Sequence, residues 1–90
     1  MQILNKNRQK IVLRHRNGKL ALTGEMQNGL KQGLWRWWDD SGTLFKEVHF
    51  IDGLPHGRVV DYDKLGRIQS ETFYNRGTEL SSGPVLRMAS

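Results

Sequence analysis

Ser41-Gly42-Thr43-Leu44-Phe45-Lys46-Glu47-Val48-His49-Phe50-Ile51-Asp52-Gly53-Leu54-Pro55-His56-Gly57 is the stretch that decides the fold. Two turn signals, Ser41-Gly42 and Asp52-Gly53, bracket residues 43–51. That run is too short for a typical helix and is rich in β-branched and aromatic residues, so it reads as a strand. The same arrangement recurs on both sides at a step of 24 residues. Gly18, Gly42 and Gly66 keep the step, as do Gly29, Gly53 and Gly77, and Gly33 and Gly57. A fixed period means a repeat architecture in which each unit buries its apolar surface against its neighbours.

The units read NGKLALTGEMQNGLKQGLWRWWDD, SGTLFKEVHFIDGLPHGRVVDYDK and LGRIQSETFYNRGTELSSGPVLRM. Beyond glycine, Leu20, Leu44 and Ile68 correspond, as do Met26, Phe50 and Tyr74, and Trp38 and Tyr62. The pattern predicts strands near residues 10–15, 19–27, 33–39, 43–51, 57–63, 67–75 and 84–88. Alternation puts Leu20, Leu22, Gly24 and Met26 on one face, with Leu44, Val48 and Phe50 and then Ile68, Thr72 and Tyr74. Ala21, Phe45, Ile51 and Phe73 are apolar exceptions on the polar face. The ends depart from the period. Ile11-Val12-Leu13-Arg14 matches only the second half of a unit, and a two-residue insertion would bring Gly83 into line with Gly33 and Gly57. The expected fold is all-β: a short array of antiparallel hairpins in a single elongated, curved, open sheet. It forms one domain over 1–90, with a partial first unit at 10–17 and repeats at 18–41, 42–65 and 66–88.

Ninety residues, 37% hydrophobic and 26% charged, suit one small globular domain. The absence of cysteine excludes disulfides and thiolate metal sites. No apolar run approaches the ~18 residues that span a bilayer, and the first residues do not read as a secretory signal. A cytoplasmic location is expected. The net charge of +5 is uneven. Lys6, Arg8, Lys10, Arg14, Arg16 and Lys19 fall within residues 1–24, which hold no acid. This basic set would steer an acidic partner; the plainer reading is an edge strand protected by charge.

His15, His49 and His56 lack metal-binding spacing, so no metal site is expected. Glu25, Glu47 and Glu71 align across units without a nucleophile or base motif beside them; pairing with Lys or Arg explains them better than catalysis. No enzyme activity and no cofactor are expected. Trp35, Trp37 and Trp38 are the sharpest local feature. Trp38, matched by Tyr62, reads as core, whereas Trp35 and Trp37 read as a contact surface.

Residues 17–77 resemble bacterial MORN-repeat variants. The segments Gly33-Leu34-Trp35-Arg36-Trp37-Trp38 and Gly57-Arg58-Val59-Val60-Asp61-Tyr62 stand at that family's G-x-W-x-x-Y position. Gly42-Thr43-Leu44-Phe45-Lys46-Glu47 and Gly66-Arg67-Ile68-Gln69-Ser70-Glu71 match its G-x-L-x-x-E. The resemblance implies stacked hairpins in a curved sheet. It also implies a binding role, antitoxin-like in bacterial chains and protein scaffold or lipid binder elsewhere. The expected function is capture of another protein, an acidic one, through Trp35, Trp37, Phe45 and His49. The alternatives are binding of a polyanion, either nucleic acid or an anionic membrane surface, through the basic set, and self-assembly into homo-oligomers through sheet edges.

Overall fold

The computed structural model describes residues 7–84, and side-chain environments through Ser81. Seven strands follow one another: β1 (Arg8–Arg14), β2 (Leu20–Gln27), β3 (Leu30–Trp38), β4 (Leu44–Ile51), β5 (Leu54–Tyr62), β6 (Ile68–Asn75) and β7 (Thr78–Pro84). Each pairs antiparallel with the next, so sheet order equals chain order. The sheet is open and uncurled, as a β-hairpin repeat predicts, and β1 and β7 are its edges among the described residues.

Three hairpin turns fix the register. Asn28 and Gly29 have φ of 53° and 80°, and Asp52-Gly53 and Arg76-Gly77 repeat the pair. Positive φ at both central residues is the I′ turn, whose twist matches that of the strands it joins. The turn therefore occupies two residues only. The strands after it start at Leu30, Leu54 and Thr78, not at 33, 57 and 84 as the glycines suggested. Gly33 (φ 74°) and Gly57 (φ 86°) lie inside β3 and β5. They mark bulges: Glu25 pairs with Gln32 and Thr23 with Arg36, which leaves three residues of β3 facing Gly24. The third hairpin has Ser81 in place of that glycine, and its bulge is smaller. Tyr74 pairs with Glu79 and Phe73 with Ser81, so only Leu80 is extra. The expected insertion before Gly83 is thus not what distinguishes this unit; residues 85–88 of the expected last strand lie outside those described.

A different turn links the hairpins. Asp39 Oδ1 accepts from the Ser41 and Thr43 amides, both at 3.0 Å, and from Ser41 Oγ at 2.6 Å. Asp63 Oδ1 likewise accepts from the Leu65 and Arg67 amides, each at 2.9 Å. In the first unit Asn17 Oδ1 takes part of this role through the Lys19 amide. The hydrogen bond from Ser41 holds the Asp39 carboxyl below its ordinary value of 3.8, and the Arg67 amide does the same for Asp63. A carboxyl with a depressed folded-state pKa stabilises the fold above 3.8, and that contribution is lost as the pH falls through the lower folded-state value. Asp39→Asn/Asp63→Asn is therefore expected to flatten the loss of stability below pH 4 in urea titrations. A slope equal to that of the parent would remove these turns as its source.

Neighbouring hairpins are also fastened at their turns. The Gly53 amide donates to the Lys31 carbonyl at 2.9 Å and the Gly77 amide to the Pro55 carbonyl at 2.7 Å. Gln32 Oε1 accepts from the Asp52 amide, and His56 Nδ1, one period later, accepts from the Arg76 amide at 3.0 Å. His56, within β5, is thus part of this fastening between hairpins.

A single sheet has no second layer to cover it, so the buried core is small. Trp35, Val48, Val59 and Val60 compose it. Trp35 is opposite Val48, Val48 opposite Val59 and Val59 opposite Thr72, one row across four strands.

Candidate functional site: an aromatic groove on one sheet face

On the face of that row lies an open groove of about 420 Å³. Trp37, Lys46, Val48 and Phe50 line it from β3 and β4, and Pro55, Val59 and Tyr74 complete it from β5 and β6. Period-two alternation along β4 supplies Lys46, Val48 and Phe50 to this face. Phe45 joins them because of a bulge: Trp37 pairs with Lys46 but Trp38 with Leu44, leaving Phe45 without a partner. This is why Phe45 broke the alternation in sequence. It remains 40% exposed. Lys46 sits 3.8 Å from Asp61 at the groove margin, the only ion pair of the groove wall among the described residues.

Trp35 is not a contact residue. It is 2% exposed, and its indole N–H donates to the Glu25 carbonyl at 3.0 Å and the Gln32 carbonyl at 3.2 Å. Its ring meets Phe50 edge-on at 6.2 Å and Trp37 at 6.4 Å, and the Lys31 ammonium lies 5.3 Å from its centroid. Room for the indole comes from Gly24: a Cβ there would fall 2.1 Å from Trp35 Cδ2. Trp38, expected in the core, is only half-buried, opposite Leu44. Alternation along β3 keeps Trp35 and Trp37 on one face and Trp38 on the other, and the space at Gly24 gives the cover to Trp35. Trp37 and Phe45 do come together in the groove. Phe50, Pro55, Val59 and Tyr74 were not singled out as site residues; the match of Phe50 with Tyr74 at one period was the signal for them.

His49 is on the other face, in a depression with Leu34, Arg36, Glu47, Arg58 and Val60. That face carries a charge ladder. Arg36 Nε donates to Glu47 Oε2 at 2.7 Å, Tyr62 Oη donates to Glu47 Oε1 at 2.5 Å, and Arg58 pairs with Glu71. Burial pushes the Glu47 carboxyl up, but the hydrogen bonds from Tyr62 and Arg36 and the charge of both arginines outweigh it and leave it below its ordinary value. The hydrogen bond to Glu47 raises the Tyr62 hydroxyl in turn. A carboxylate held ionised by two arginines and a phenol is a cross-strand tie, not a proton donor.

Three members of the basic set have local partners. Arg8 lies 3.6 Å from Glu25, Arg14 donates to the Gly18 carbonyl and Lys19 to the Ser41 carbonyl. Lys10 and Arg16 make no ion pair among the described residues. Lys6 lies outside them.

The groove's first wall and its floor, β3 and β4 with the turn between them, coincide with a stretch that comparison with known families picks out. Residues 31–52 match the MORN repeat variant. The match spans the second half of the repeat at 18–41 and the first half of the repeat at 42–65. MORN repeats are in general protein- or membrane-binding modules and not typically enzymes. No curated protein and no solved structure is matched by the chain. No helix among the described residues is long and apolar enough to cross a membrane.

Proposed function

We propose that the protein is a protein-binding β-repeat module whose aromatic groove receives apolar side chains of its partner. The observation that carries this is Trp37 and Phe45 standing with Phe50 and Tyr74 around an open apolar groove, while the core is completed without them by Trp35 and three valines. Large aromatic side chains left open on a small sheet are what interface hot spots are made of. An antitoxin- or immunity-like neutraliser is the form of such a module that the MORN-variant resemblance suggests, with scaffolding as the other form.

The test is affinity capture from native extract after nuclease treatment, with binding to the captured protein then measured on purified components. Trp37→Ala and Phe45→Ala are each expected to weaken binding by roughly 30-fold, the loss of a hot spot of about 2 kcal/mol. Phe73→Ala is the control, because Phe73 is equally exposed but stands opposite Arg58, away from the groove. Equal losses at all three positions, or none, would end this reading.

A further inference from the structure

We infer that the free edge of β1 receives an extended acidic segment of another protein, added antiparallel as an eighth strand. The inference is independent of the groove. An edge strand presents unpaired amides and carbonyls, and added strands use them for affinity while alternate side chains give specificity. The two edges of this sheet are unlike each other. β1 holds Arg8, Lys10 and Arg14 with no acid, followed by Arg16, whereas β7 holds Glu79 and no cation. Charge alone would also protect an edge, but β1 is not merely charged: Val12 and Leu13 are 52% and 54% exposed on it. Cations with adjacent open aliphatic side chains suit a strand that alternates acidic and β-branched residues.

A basin beside the edge carries both signs of charge, with Lys10 at its outer side. It has a volume of about 440 Å³ and is bounded by Lys10 and Val12 of β1, Thr23 and Glu25 of β2, and Leu34 and Arg36 of β3. Lys10, opposite Glu25 in register, makes no ion pair among the described residues, while Glu25 lies 3.6 Å from Arg8. An added strand would place an acidic side chain within reach of that ammonium. It would also continue the antiparallel order of the sheet.

The probe is a blocked synthetic peptide of alternating glutamate and valine, compared with a lysine–valine peptide and with a glutamate–valine peptide whose alternate amides are methylated. Fluorescence anisotropy is expected to show saturable binding of the first peptide at low salt, weakening with added salt, and slowed amide exchange along β1. Lys10→Glu/Arg14→Glu should lower its affinity roughly tenfold, and Trp37→Ala should leave it unchanged. No binding, equal binding of the lysine peptide, or undiminished binding of the methylated one overturns the inference. So does loss of binding in Trp37→Ala, which would place the peptide in the groove. β1 amides protected without peptide, more so at higher protein concentration, would give the edge to a second copy and overturn it as well.

Discussion

Trp35→Ala is expected to remove most of the protein's stability. Removing a buried tryptophan costs about 3–5 kcal/mol through lost transfer energy and the cavity left behind. The stability of a chain this size is roughly 5–13 kcal/mol, and this one sits at the low end because a single sheet buries few side chains. Trp35 is the one large side chain in a core otherwise made of Val48, Val59 and Val60. No second layer can collapse into the space. Its indole also bonds two carbonyls, of Glu25 and Gln32, at the bulge between β2 and β3. Urea unfolding followed by circular dichroism measures this directly. A loss below about 1 kcal/mol, the range of an ordinary surface change, would show that Trp35 is not the centre of the core. Trp35→Phe should fall between, since it keeps the edge-on contact with Phe50 but not the hydrogen bonds.

Gly24→Val is expected to be as damaging by itself and far less so together with Trp35→Val. A Cβ at residue 24 would lie 2.1 Å from Cδ2 and 2.3 Å from Cε2 of the indole, so the ring must leave or the strands must part. Overpacking costs about 1–3 kcal/mol and sometimes more. One period later the same two places are filled by Val48 and Val59, which are opposite each other and both buried. The glycine–tryptophan pair and the valine–valine pair are two ways of filling one site with similar total volume. The double variant therefore copies the second unit into the first. A double-mutant cycle should show a favourable coupling of about 1–3 kcal/mol. Additive losses would mean that the two residues do not share a site and that the repeat is not interchangeable here.

The glycine period and the Asn-Gly and Asp-Gly turns were enough to place six of the seven strands to within a few residues. They failed at the strand starts after each hairpin for a specific reason. Gly33 and Gly57 look like punctuation in sequence, but their positive φ is used inside the strand to make a bulge. The last strand was misplaced because Ser81 breaks that series, and a missing glycine looked like an insertion. The site was half-legible for a related reason. Counting by twos assigns Trp35, Trp37 and Trp38 to faces, yet says nothing of which face is covered. The missing clue lay on another strand: Gly24 stands where later units carry Val48 and Thr72, a vacancy that calls for a large neighbour. Phe45 was recognised as an exception before its bulge was known. His49 shares no face with Trp35 and Trp37, because it alternates with Val48 and Phe50 along β4.

The odd number of strands has a consequence for crowding in the cell. With seven antiparallel strands in chain order, β1 and β7 run in the same direction. A neighbour arriving by simple translation would have to lay its β1 along β7 in parallel, which breaks the hydrogen-bond pattern of the whole sheet. The pattern is continued only when like edges meet across a two-fold axis. At β1 that brings arginine and lysine rows against each other, which like charge opposes. For the described strands, each step of end-to-end growth would therefore need a parallel junction, which pairs less stably than the antiparallel ladders within the sheet.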